Sequence, residues 1–229
     1  MKWLRNLLDD LAPHFESGGK FEKFAPVFEA TDTILFSTDE RTISGPHVRD
    51  SVDIKRVMIL VVIALIPCYI FGAINVGYQK SLTFGYSSSW LENLITGAIS
   101  IIPIIAVTFA SGAFWELLFG IVRKHPISEG FLVTCALIPL TLPPSIPLWQ
   151  VAVATSFGIV IGKEIFGGVG MNIFNPALMA RAFLYFTYPI DISGDKVWAL
   201  APDGYSGPTA LSIPAGQTDA NAVDLLNQA

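Results

Sequence analysis

The chain has 229 residues, 52% of them hydrophobic and 14% charged, and its mean hydropathy is +0.55. A soluble domain carries about a quarter charged residues, so disordered, fibrous and nucleic-acid-binding classes are excluded. A net charge of −5 is mild and argues against an anionic polymer as partner.

The expected class is therefore an all-α, polytopic integral membrane helical bundle. The charges divide it into three parts. Residues 1–56 form a polar head, and residues 57–190 an apolar membrane domain. Residues 191–229 form an acidic tail in which Lys196 is the only base. The membrane domain carries only Lys80, Glu92, Glu116, Arg123, Lys124, Glu129, Lys163, Glu164 and Arg181. Cys68 and Cys135 both lie in apolar runs and read as small core hydrophobes. Two thiols cannot supply the four thiolates of an iron–sulfur cluster.

Trp3, Leu4, Leu7, Leu8 and Leu11 recur at helical spacing, while Asp9 and Asp10 break any signal-peptide core. Residues 1–15 thus predict an amphipathic helix, placed either at the membrane interface or against a neighbouring protein. Thr33–Ser37 could be a short strand, and Gly45-Pro46 marks a turn. Lys55 and Arg56 stand just before the first apolar run and place the head in the cytoplasm by the positive-inside rule.

Residues 57–78 carry no charge and suffice for one crossing. Residues 80–90 then read as an outer loop. Residues 94–122 form the second crossing, whose single charge is Glu116. That carboxylate is either interfacial and paired with Arg123, Lys124 and His125, or part of a cation path.

Residues 131–143 and 148–162 are short and apolar, with Pro143, Pro144 and Pro147 between them. They fit two tilted spans with a tight turn or a re-entrant pair; broken helices of the second kind mark cofactor or ion sites in transport folds. Phe166 to Pro176 follows, rich in glycine. Those glycines permit close approach either of a ligand or of another helix. Asn175 suits an N-cap and Pro176 the first position of a helix over 176–188. The start of that helix is fit for an anion or a polar ring carbonyl. Arg181 inside it needs a partner: Glu164, a row of carbonyls or a ligand phosphate. The chain then emerges near Pro189 on the outer face.

The segment Asp203-Gly204-Tyr205-Ser206-Gly207-Pro208-Thr209-Ala210-Leu211 resembles a flavinylation motif, Asp-x-x-Ser/Thr-Gly-Ala-Thr. That motif belongs to the NqrB/RnfD family, the membrane flavoproteins of the Na+-translocating NADH:quinone oxidoreductase (Nqr) and Rnf complexes. Further stretches resemble the same family: Asp53-Ile54-Lys55-Arg56, Glu129-Gly130-Phe131-Leu132-Val133-Thr134, Pro147-Leu148-Trp149-Gln150, Gly162-Lys163-Glu164-Ile165-Phe166-Gly167-Gly168 and Asn175-Pro176-Ala177. The likeness extends over almost the whole chain, and the long head favours the Nqr type over the Rnf type. Pro208 stands where the motif has alanine; proline removes an N–H and fixes φ. The chain is similar to the amino-terminal half of such a flavoprotein.

The resemblance implies FMN bound covalently through a phosphoester on Thr209, with Asp203, Ser206 and Gly207 completing the motif. It implies a second, noncovalent flavin (riboflavin) or quinone site, for which Gly167, Gly168, Asn172, Asn175 and Arg181 are the candidates. It implies work in a six-subunit respiratory pump of the bacterial inner membrane, which oxidises NADH, reduces ubiquinone and exports Na+. The cytoplasmic head and an outer Thr209 loop follow from the charge topology. Glu129 is the candidate for the Na+ path, since hard cations take carboxylate oxygens. Two other readings predict different behaviour. An Rnf-type protein would exchange electrons between ferredoxin and NAD, and a plain channel or transporter would purify colourless.

Overall fold

The computed structural model describes residues 2–15, 21, 28, 45, 54–123, 130–194 and 197–201. Among these the regular elements are all helical: α1 Lys2–Phe15, α2 Ile54–Phe84, α3 Trp90–Arg123, α4 Gly130–Leu140, α5 Leu148–Val160, α6 Pro176–Thr187 and α7 Pro189–Ile192. A single 3-10 turn, Glu164–Phe166, lies between α5 and α6. The expected strand at Thr33–Ser37 lies outside the described residues.

Among the described residues, three stretches are long and apolar enough to cross a membrane: Val57–Phe84, Trp90–Arg123 and Leu148–Phe166. Helix α2 continues six residues past the expected boundary at Tyr78 and ends at Gly85, whose φ is +69°. The link to α3 is therefore only residues 85–89, not a loop from Lys80. Lys80 and Ser81 are polar, yet one face of the helix still packs there: Ser81 is buried and its hydroxyl donates to the Tyr78 carbonyl at 2.8 Å.

Helices α2 and α3 form an antiparallel pair at backbone contact. Gly97 lies against the Ala73 carbonyl and Gly77 against that of Asn93, with no room for a β-carbon at either glycine. Small residues let apolar helices approach where no hydrophobic force separates lipid from protein. Most of the remaining surface of α2 is uncovered, including Leu60 and Phe71. Cys68 belongs to that exposed surface, which corrects the reading of both thiols as core; Cys135 alone is buried.

Helix α4 runs back along α3, where the Cys135 thiol meets the Thr108 carbonyl at 3.7 Å. The Tyr69 hydroxyl of α2 donates to the Ala136 carbonyl at 2.5 Å. With 11 residues, α4 is about 16 Å long, well short of the ~30 Å hydrocarbon layer. Its end and the following turn pack beside Ile104, fourteen residues from the start of α3. Helix α5 then returns alongside α3, and α6 runs antiparallel to α5. The core is the apolar centre of this group: Ile104, Ile138, Val151, Ala154, Ala180 and Leu184.

Helix α6 sits directly on α5 because Gly158 has no side chain. A β-carbon there would fall 2.5 Å from the Pro176 carbonyl oxygen and 2.9 Å from the Ala180 methyl. This contact fixes the point at which α6 begins, and so positions everything between the two helices. Arg123, Lys163 and Glu164 gather at one end of the bundle, hereafter the charged end. The 141–147 turn and α7 lie away from that end, beside the middle of α3 near Ile104.

Candidate functional site

At the charged end a chain of ionic groups is buried in an otherwise apolar bundle. Lys163 is 1% exposed, Glu164 1% and Glu116 3%. The Lys163 ammonium contacts the Glu116 carboxylate and lies 3.2 Å from Glu164 Oε1. Arg123 Nη1 is 3.3 Å from Glu164 Oε2, its Nη2 donates to the Glu164 backbone carbonyl at 2.7 Å, and its guanidinium stacks over the Phe119 ring. Burying such charges costs several kcal/mol each unless they are paired. The four formal charges cancel, which is why the bundle tolerates them.

Glu116 thus has a partner that the sequence did not suggest, while Lys124 and His125 lie outside the described residues. Position 116 is about two turns from the Arg123 cluster along the same helix, but Lys163 is supplied from the end of α5 across the bundle. The same contacts settle Arg181. Glu164 is taken by Lys163 and Arg123, and Arg181 Nη1 instead donates to the Thr141 carbonyl at 2.8 Å. Helix α4 ends at Leu140, and its terminal carbonyls carry the negative end of the helix dipole. The guanidinium sits at that end, on the carbonyl of the residue just beyond it.

The glycine-rich loop is built onto the ionic chain. The amides of Phe166 and Gly168 both donate to the Lys163 carbonyl at 3.2 Å, and Gly167 donates to that of Glu164 at 3.1 Å. Gly167, Gly168 and Gly170 have φ of +114°, +101° and +88°. Only glycine adopts such angles without strain, so the loop's path demands these residues. Gly170 N–H donates to Asn172 Oδ1 at 3.2 Å, and Asn172 Nδ2 to the Phe174 carbonyl at 2.8 Å. Asn175 Oδ1 accepts from the amides of Ala177 at 2.9 Å and Leu178 at 3.4 Å, an N-cap as the sequence indicated.

The structure thus brings Gly167, Gly168, Asn172 and Asn175 together in one loop. It sends Arg181 toward the 141–147 turn. The loop's inner amides are consumed by its own turns. What remains for a flavin ring is the Asn175 amide nitrogen, whose oxygen alone is used by the cap, and the exposed edge of the loop at Val169 and Ile173. These suit a ring carbonyl and an apolar ring face. Asp203, Ser206, Gly207, Thr209 and Glu129 lie outside the described residues. Among the described residues no three His, Cys, Asp or Glu side chains converge as a metal-binding set.

Sequence reasoning counted Lys163 among the charges of the membrane domain but missed it as a buried partner. The signal was present in the composition. One acid at 116 and one base at 163 both fall within apolar surroundings, where lone charges are costly.

The NQR2, RnfD, RnfE family model matches residues 41–228, and the chain belongs to that family. Among curated proteins it is 50% identical over 233 residues to the B subunit of the Na(+)-translocating NADH-quinone reductase of Chromohalobacter salexigens. It is 49% identical over 236 residues to the protein of that name from Azotobacter vinelandii and 46% over 235 residues to that from Pseudomonas aeruginosa. Each match covers 93% of this chain, and the chain spans 56 to 58% of the length of these relatives.

Proposed function

We propose, from membership of the NQR2, RnfD, RnfE family, that this chain supplies the NQR2-type membrane part of a Na+-translocating NADH–quinone reductase. The observation that carries the reading is 46 to 50% identity to B subunits of that reductase over 93% of the chain. In this reading the chain works beside the other components of a six-subunit complex in the bacterial inner membrane. The complex oxidises NADH, reduces ubiquinone and exports Na+.

The charged end faces the cytoplasm, in keeping with Arg123 and Lys163 there and with Lys124 next in sequence. The acidic segment after Asp191 faces outward. Thr209 holds FMN by a phosphoester, with Asp203, Ser206 and Gly207 forming the motif that a transferase reads. FMN, when bound, supplies reversible electron transfer at the outer face, and a covalent tether prevents its loss there. The loop from Gly167 to Asn175 holds a second, noncovalent flavin at the cytoplasmic side. Glu129, just before α4, lies on the Na+ path.

Three features support a conducting and cofactor-binding role over a plain scaffold. Helix α4 stops partway across, a buried ionic chain lies at one end, and a loop of positive-φ glycines is built onto that chain.

The test is Thr209→Ala in the full-length protein within its complex. Flavin fluorescence that survives denaturing electrophoresis disappears, and the native peptide spanning Thr209 loses the added mass of one FMN less water. Retained fluorescence in that variant overturns the assignment. Reduction of quinone by NADH rather than by ferredoxin separates this reading from the Rnf type.

A further inference from the structure

The segment that leaves α6 toward Thr209 is held down at two separate points. Gln150, 3% exposed at the start of α5, donates its Nε2 to Asp191 Oδ2 at 2.6 Å. Ser145, in the turn between α4 and α5, donates its hydroxyl to the Val197 carbonyl at 2.9 Å. Beside these bonds two apolar residues of the segment are buried, while Ile190, Ser193, Gly194 and Trp198 are exposed. Ile192 is 3% exposed and Val197 6%, and the Tyr188 ring meets Trp149 edge-on at 5.2 Å. Exposed tails at the end of a membrane bundle do not need buried anchors, and a polar pair in a greasy setting is kept at a cost. The arrangement fixes where the chain leaves the bundle.

We propose that Asp191 and Ser145, with Gln150, form a clamp that positions the chain's exit and thereby the Thr209 hydroxyl. The inference rests on the reading that Thr209 carries FMN. Its physical content is reach. Thr209 is twelve residues beyond the last anchor at Val197 and twenty-two beyond the end of α6 at Thr187. A fully extended chain covers about 3.3–3.6 Å per residue, so the clamp cuts the greatest distance from about 75 Å to about 41 Å. The same shortening raises the local concentration of the attached group beside its neighbours. Asp191 and Ser145 are positioning residues: neither needs to touch the flavin.

The experiment uses the full-length protein in the assembled complex, with Asp191→Ala, Ser145→Ala, the double variant and Asp191→Asn. Covalent flavin is measured on denaturing gels, its fluorescence anisotropy in the folded complex, and turnover is normalised to covalent flavin. With the clamp released, covalent labelling stays near wild type, anisotropy falls toward that of a freely rotating tether, and turnover per flavin drops about tenfold with unchanged KM for NADH. Asp191→Asn, which keeps an oxygen for Gln150, restores all three. A Gly-Ser-Gly-Ser insertion between Ala201 and Pro202 reproduces the release without touching the anchors.

Wild-type anisotropy and turnover per flavin in the double variant overturn the clamp and leave the flavin assignment standing. Loss of turnover only in proportion to lost protein or lost flavin also overturns it, since that is the mark of a folding role. If Thr209→Ala keeps its gel fluorescence, it is the flavin assignment that fails. The clamp is then read by protease cleavage between residues 188 and 201, which quickens in the double variant if the anchors hold and is unchanged if they do not.

Discussion

Lys163 and Glu116, forty-seven residues apart in sequence, meet as an ion pair inside the bundle. The ammonium is shared with Glu164, so a single lysine neutralises two carboxylates in part and Arg123 completes the balance. Removing the lysine takes away the buried ammonium that both acids share, leaving Arg123 on Glu164. Lys163→Met lowers the stability of the full-length protein by about 3–5 kcal/mol. Thermal unfolding in detergent measures the loss. Combining it with Glu116→Gln recovers most of that loss, because a neutral pair carries no desolvation penalty.

Gly158 tests the α5–α6 contact. A valine there pushes a β-carbon against the Pro176 carbonyl at 2.5 Å. Backbone cannot step aside cheaply, and overpacking costs about 1–3 kcal/mol or more. The midpoint of unfolding falls accordingly, and the 167–175 loop becomes easier to cleave. Gly72→Ala is the matched control, since nothing lies within 4 Å of its β-carbon position; its unfolding midpoint stays at the wild-type value.

Arg181 satisfies the Thr141 carbonyl just beyond the short helix α4. Arg181→Met keeps the apolar stem and removes the donor. The cost is about 1–3 kcal/mol for an acceptor left bare. Hydrogen exchange checks it: amides at 138–146 exchange faster, and those of the glycine loop at the charged end do not.

In the proposed flavin site, Pro208 stands where the motif it resembles has alanine. Pro208→Ala restores an N–H and frees φ beside the accepting threonine. The fraction of chains carrying covalent FMN rises, as read by in-gel fluorescence against total protein.

Glu129 stands just before α4. Glu129→Gln keeps the shape and removes the charge. The Na+ concentration giving half-maximal turnover rises, while covalent flavin at Thr209 is unchanged. An unaltered Na+ response removes Glu129 from the ion path.

The helices were legible in the sequence because hydrophobic length and proline placement set them. The interruption at Pro143–Pro147 is visible to the eye, and Asn175-Pro176 announces the start of α6 in two residues. Residues 79–84 were not legible as helix. Lys80 and Ser81 read as loop chemistry, and only the burial of Ser81 shows that this face of the helix is still covered. The ionic chain was harder still. Each charge could be found, but which acid meets which base depends on the α3–α5 contact, and that contact is set by residues such as Gly112 and Ile159 that carry no charge. Arg181 shows the same limit. The need for a partner was plain, and a carbonyl was among the candidates, but only the fold tells the end of α4 from Glu164.

The pairing of Glu116, Lys163, Glu164 and Arg123 has an electrical consequence. Two negative and two positive groups sum to zero, so a transmembrane voltage exerts no net force on the set as a unit. A monovalent cation that joins the set makes it singly positive. It then feels up to about 2.3 kcal/mol for each 100 mV if carried through the whole field. These four groups by themselves carry no net charge, so a bound monovalent cation would be the part of the set on which voltage acts.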